Sequence, residues 1–176
     1  LTRRADAQHA EAPAVTASAA PRTIQVLLVP VPKGLLPDRP VEYTVMPEGG
    51  ATIIPPLRGS VASGGGDARS VMIAASVPAG ALAGARKIAA VQFSQGTVTV
   101  QVPLELRVSQ TRSATLRLAQ QLFGAQPGEH VVIRYFVTNT GNARDAFDVT
   151  VLAPSQWATA GALRRHVLGV GETVAG

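Results

Sequence analysis

The sequence predicts an all-β protein built as two tandem β-sandwiches, the second incomplete at its C-terminal end. Three observations carry this. Short runs of alternating apolar and polar residues recur along the chain, separated by turn signals roughly every 8 to 12 residues. No stretch shows the apolar period of a helix. Hydrophobic residues make up 46% of the 176 residues but aromatics only 4%. A core must therefore come from Val, Leu, Ile and Ala, which suits short packed strands.

Residues 1–20 are rich in Ala with scattered charge and no period, and are expected to form a flexible leader. Ala5-Asp6-Ala7 before Gln8 has the small-x-small pattern of a signal-peptide end, but no apolar segment precedes it. The first sandwich is expected over residues 21–109. Thr23 to Val31 reads as a strand ending in Pro-Val-Pro, which suits a sheet edge. Val41, Tyr43 and Val45 alternate with Glu42 and Thr44 in a second strand. Glu48-Gly49-Gly50 turns the chain into Ala51 to Ile54, and Gly59 to Asp67 reads as a glycine-rich loop. Val71 to Val77 is a further strand, followed by a turn at Pro78-Ala79-Gly80. Ala85 to Phe93 and Thr97 to Val108 form a hairpin across Ser94-Gln95-Gly96, with Pro103 marking a bulge or crossover.

The second sandwich is expected over residues 113–176, with the domain boundary near Ser109 to Ser113. Its clearest stretch is Val131 to Leu152. Val131, Ile133, Tyr135 and Val137 fall on one strand face, and Phe147, Val149 and Val151 on one face of the next. Asn139-Thr140-Gly141-Asn142 joins them with residues that tolerate left-handed angles and cap turns with their side chains. Thr115-Leu116-Arg117-Leu118 repeats Thr23-Ile24-Gln25-Val26 at an offset of 92 residues. The same offset carries Val41, Tyr43 and Val45 onto Ile133, Tyr135 and Val137, which suggests an internal repeat. The second copy has no counterpart of the hairpin Ala85 to Val108. Such a half sandwich exposes an apolar face and unpaired edges. The expectation is that the chain continues past Gly176 or that another chain adds a strand.

The run from Val137 to Val151, VTNTGNARDAFDVTV, with Pro154 and Trp157 after it, resembles bacterial immunoglobulin-like domains. These are the groups described as cell-adhesion-related and as the sandwich accompanying glycosidases. Pro78-Ala79-Gly80 through Val91 resembles the later half of the same domain type. The resemblance covers Ser113 to Gly176 well and Pro21 to Val108 weakly, where Pro47-Glu48-Gly49 replaces the Asn turn. It implies two tandem immunoglobulin-like sandwiches, an exported or surface location, and a spacer, adhesion or assembly role. It brings no catalytic residues.

The residues themselves point away from catalysis. His9, His130 and His166 lack metal-ligand spacing. No G-x-S-x-G, phosphate loop or dinucleotide fingerprint is present, and Gly64-Gly65-Gly66 has no following helix to make an anion site. Glu129, Asp145 and Asp148 are too few carboxylates for calcium, and the two Asp fall on opposite strand faces. Cysteine is absent, which excludes a thiolate metal site and a disulfide framework. No stretch reaches the ~18 apolar residues of a membrane-spanning helix, so an anchor is expected outside these residues. The net charge is +5, carried by arginines apart from Lys33 and Lys87. The arginines are scattered along strands and turns, with Arg164-Arg165-His166 the closest thing to a cluster, whereas nucleic-acid binders gather theirs on one face. An anionic membrane surface or an acidic partner suits them better. Tyr43 and Tyr135 lie on core faces.

The function expected is that of a non-catalytic structural or docking module of an exported bacterial protein, without cofactor, in the periplasm or at the cell surface. Its partners would be other subunits of a surface or membrane-associated assembly, membrane proteins among them. The alternative is a carbohydrate-binding or adhesion appendage of a secreted glycosidase or surface protein. The candidate interaction residues are Trp157, Arg164 and Arg165: an exposed Trp shelf favours sugar, a buried Trp favours scaffold. The candidate pairing edges are Thr23 to Val31 and Phe147 to Leu152.

Overall fold

The computed structural model of the chain describes residues 9–64, 69–120, 124–152 and 163–176. It is an all-β structure of several sheets. The chain divides into two compact units, Leu1–Ser109 and Gln110–Gly176.

Unit 1 holds β1 (His9–Glu11), β2 (Val15–Ala19), β3 (Ile24–Pro30), β4 (Val41–Pro47), β5 (Thr52–Ile54), β6 (Arg58–Val61), β7 (Ser70–Ser76), β8 (Gly84–Gln95) and β9 (Val98–Val108). One sheet has the order β1-β9-β8-β4-β6, with β2 also on β9; the other has the order β3-β7-β5. Leu27, Val29, Ile53, Val71 and Ile73 from the small sheet meet Val41, Val45, Val91, Phe93, Val102 and Leu104 from the large one in a single core. These are alternate residues of each strand, as the period-two pleat requires.

Three expectations for this unit change. The residues read as a leader contain two strands: β1 and β2 both run parallel to β9, pairing with Thr99–Gln101 and with Leu104–Val108. Their Ala-rich sequences give no apolar contrast, yet Ala19 is buried in the core. Pro103 sits in regular pairing with Ala90, and the irregularity lies across from it on β8, between Lys87 and Ala89. Proline has no N–H to give an outer neighbour. It falls where the outer neighbour changes from β1 to β2, around Ala12-Pro13-Ala14. The expected glycine loop begins instead with strand β6, where Gly59 pairs with Tyr43. A Cβ at Gly59 would lie 2.7 Å from the Tyr43 hydroxyl, so glycine here lets an aromatic ring lie over the backbone.

Unit 2 holds β10 (Ala114–Leu118), β11 (Tyr135–Asn139), β12 (Asp145–Thr150), β13 (Leu163–Leu168) and β14 (Thr173–Ala175). One sheet has the order β10-β11-β14, and β12 pairs with β13 in a second. Tyr135, Val137 and Leu168 are the buried centre, with Phe147, Val149 and Val174 packed around them. The offset of 92 residues does not reproduce the pairing. β3 and β4 lie in different sheets, whereas the strands it places them on, β10 and β11, are hydrogen-bonded to each other. The two segments share Thr and a polar–apolar alternation, which any half-buried strand can show. Matched by partner instead, β11 pairs with β14 as β3 pairs with β7, and β12 pairs with β13 as β4 pairs with β6.

The Asn139–Asn142 turn passes the chain from one sheet to the other. Among the described residues of this turn none has a positive φ, so left-handed tolerance is not what it uses. Gly141 is needed for close approach, because a Cβ there would strike the Thr111 carbonyl oxygen. The backbone N–H groups of Thr140 and Gly141 both donate to the Ser113 carbonyl at 3.0 Å. Gly141→Ala is accordingly expected to push the 111–113 segment off the turn. Loss of amide-exchange protection at Thr140 and Gly141, at a stability cost of about 2 kcal/mol, is the measurement that checks it.

Candidate docking surface

Four exposed large apolar side chains of unit 1, Ile24, Val26, Leu28 and Met72, share one sheet face. In β3, Leu27 and Val29 are buried, while Ile24, Val26 and Leu28 on the opposite face are 64, 46 and 61% exposed. On β7, Val71, Ile73 and Ala75 point inward, and Met72 is 67% exposed. The register sets Leu28 beside Met72, and Val26 beside Ala74, which in turn neighbours Ile54 on β5. Residues directly opposite on paired strands share a face. Leu28, Met72, Val26, Ala74 and Ile54 are therefore one contiguous apolar surface. Its ends are polar: Ile24 and Thr52 pair with Ser76, and Pro30 pairs with Ser70.

No Asp, Glu, Lys or Arg stands on this outer face of β3, β5 and β7. Among the described strands β3 is also an edge, paired with β7 alone. Exposed sheets and edges normally carry charge that keeps them from pairing with other chains. An apolar centre with a hydroxyl rim and no charge is the composition of a recognition surface. Covering the exposed halves of four such side chains supplies on the order of 4 kcal/mol. No Lys or Arg stands within the strands of this face to meet anionic headgroups; Arg22 and Lys33 lie only beyond the ends of β3.

Of the segments singled out in the sequence, the edge Thr23 to Val31 is β3 of this sheet, and the other candidate residues lie elsewhere. Arg164 and Arg165 are exposed on β13 in unit 2. Arg165 Nε stands 4.0 Å from Asp148 Oδ1, with both side chains more than half exposed, an arrangement worth little in water. Trp157 lies outside the described residues. His166 does not bind with other histidines; its Nε2 is 2.9 Å from the Tyr135 hydroxyl and joins β13 to β11. His130 is exposed in the segment before β11. Asp145 accepts from Arg112 Nε at 3.1 Å, Asp148 faces Arg165, and Glu129 accepts from the Gln126 N–H at 2.8 Å. Among the described residues, no three His, Cys, Asp or Glu side chains converge on a point. A shallow cleft of about 370 Å³ over β2 and β9 has Glu105 and Arg107 as its titratable lining, with no nucleophile–base pair.

The sequence marks β3 as a pairing edge, but neither its outer face nor that of β7 is singled out. The available signal was that IQVLLVP and SVMIAAS are apolar at nearly every position, which marks a strand meant to be covered on both faces. Comparison with protein-family models gives no match, and comparison with curated proteins gives none.

Proposed function

We propose that the protein is a non-catalytic docking module whose partner is another protein subunit, seated on the outer face of the β3-β7-β5 sheet. The observation that carries this is the uncharged apolar ladder of Val26, Leu28, Ile54 and Met72 with its hydroxyl rim. A protein partner suits it better than nucleic acid, which needs clustered Lys or Arg, and better than a lipid surface.

The fold we infer for unit 1 is an immunoglobulin-like sandwich. Support comes from strand order. Named by sheet neighbour, β4-β8-β9 has the C-F-G order and β3-β7-β5 the B-E-D order of that fold, with β6 added beside β4 and the first strand moved to the edge of β9. Such sandwiches hold assemblies together through faces, edges and end loops. The resemblance of Val137 to Val151 to exported bacterial domains of this type supports an extracytoplasmic assembly as the setting.

The test is purification from the cells that make the protein, in mild detergent, with co-purifying proteins identified by mass spectrometry. Val26→Lys with Met72→Lys is compared with the unchanged chain. Both positions are about half exposed or more, so thermal unfolding should shift little. The expected result is a set of subunits at fixed ratio that falls by about tenfold in the variant, since a buried unpaired charge costs at least 1.4 kcal/mol. Retention of the same partners by the variant overturns the reading. So does a chain that purifies alone and binds polysaccharide equally well with and without the substitutions.

A further inference from the structure

The first two strands of unit 1 are held differently from the rest of it. β1 and β2 join the large sheet through parallel ladders on the edge of β9, three and five residue pairs long. They bring little to the core: Ala19 is buried, and Ala12, Val15 and Ala17 pack partly against it. The remaining strands keep both sheets, β9-β8-β4-β6 and β3-β7-β5, by pairing among themselves. His9 to Ala19 is thus a strap laid along a sandwich that has its own ladders.

A strained turn fastens this strap. β2 ends at Ala19, and β3 begins at Ile24 in the other sheet. Ala20-Pro21-Arg22-Thr23 makes the crossing, with Arg22 at φ 64°. Proline second and a positive φ third is the pattern of a type II turn, whose third position favours glycine or asparagine. Among the described residues Arg22 is the one non-glycine with a positive φ, and left-handed backbone crowds its Cβ. Two bonds hold it there: the Arg22 N–H donates to the Val77 carbonyl at 3.0 Å, and the Thr23 hydroxyl donates to the Ala20 carbonyl at 2.7 Å. A turn whose residue breaks the local rule stores strain.

Straightening the chain between β2 and β3 releases that strain. A strap so released fits the β9 edge of an identical chain, because each bond it makes in its own unit can be remade there. The Ala12 N–H to the Gln101 carbonyl and the Ser109 N–H to the Ala19 carbonyl, both at 2.9 Å, are two of them. We infer that His9 to Ala19 is an exchangeable strap by which two copies of the chain join, each laying its strap on the β9 of the other. The exchange is reciprocal, so it closes as a dimer. Pro21-Arg22 is the hinge, and its strain favours the exchanged form. Closure within one chain wins at low concentration, since it needs no second molecule. This joining is independent of the β3-β7-β5 face.

The chain has no cysteine, so single-cysteine variants can read the exchange directly. Ser18 on β2 and Arg107 on β9 are exposed register partners. Full 176-residue chains carrying Ser18→Cys or Arg107→Cys are unfolded in urea, mixed, refolded together at high or low concentration, and oxidised. The expected result is a mixed disulfide dimer that exceeds both like-with-like dimers and grows with concentration. Arg22→Gly in both chains relaxes the closed turn and should lower the mixed dimer about fivefold or more. Arg22→Ala keeps a Cβ and should leave it unchanged. A mixed dimer no more abundant than the like-with-like ones overturns the inference, as does an undiminished yield with Arg22→Gly. A dimer that forms without the mixed disulfide and is lost with Val26→Lys and Met72→Lys also overturns it, by placing the contact on the β3-β7-β5 face.

Discussion

Asn139→Ala is expected to lower the unfolding free energy of unit 2 by about 3 kcal/mol, more than a typical exposed substitution. Asn139 is 1% exposed and uses both ends of its amide. Its Nδ2 donates to the Ala143 carbonyl at 2.8 Å and to the Leu168 carbonyl at 3.0 Å, while its Oδ1 accepts from the Gly141 N–H at 2.9 Å. Alanine leaves the Ala143 and Leu168 carbonyls without that partner, while the Gly141 N–H keeps the Ser113 carbonyl, and each buried group so left costs roughly 1–3 kcal/mol before water relieves part of it. The Leu168 bond matters most, because it ties the end of β13 in one sheet to β11 in the other. Asn139→Asp is expected to be no better: a carboxylate keeps the acceptor but gives up both donors. Urea unfolding, read from exchange of β11 to β14 amides, measures both. A loss below about 1 kcal/mol for the alanine variant would mean the turn stands without this side chain.

Phe93→Ala should destabilise unit 1 by about 4 kcal/mol. Phe93 is fully buried in β8 and lies between Tyr43 on β4 and Val100 on β9. It is the largest fully buried side chain among the described residues, in a core otherwise made of Val, Leu, Ile and Ala. Truncation therefore opens a cavity that short, rotamer-restricted neighbours fill poorly. Phe93→Leu is expected to cost only about 1.5 kcal/mol, since much of the volume is kept. Calorimetry on the two variants gives the comparison, and equal losses would show that the ring's shape, not its volume, is what the core uses.

How much of this was readable in the sequence depends on how local each feature is. β4, β8 and β9 announce themselves through alternation, because the pleat sorts side chains within a single strand. The ends of β8 and β9 are likewise local, set by Gly96 with its positive φ at the hairpin tip. β1 and β2 were missed because their pairing with β9 joins residues some 90 positions apart and their Ala-rich sequences carry no contrast. The repeat failed in register for a related reason. Thr115 to Leu118 looks like Thr23 to Val26, but which strand a segment pairs with is decided by the rest of the chain. Asn139 could be seen as a turn residue. Its bond to Leu168, 29 residues away, could not. The docking face illustrates the remaining gap. That β3 and β7 are apolar on both sides is in the letters; that only one side finds a cover is known once β4, β8 and β9 are seen on the other.

The parallel pairing of β2 with β9 has a mechanical consequence. Val15 sits opposite Leu104 at one end of the ladder, and Ala19 sits opposite Val108 at the other. The chain enters this ladder at Val15 and leaves unit 1 just past Val108. Tension along the polypeptide therefore pulls the two strands in opposite directions along their length. All the inter-strand bonds share that load together, where an antiparallel hairpin pulled from its open end would unzip one bond at a time. Resistance to force is a matter of unfolding rate more than of equilibrium stability. This unit thus has the geometry of a shear-loaded ladder.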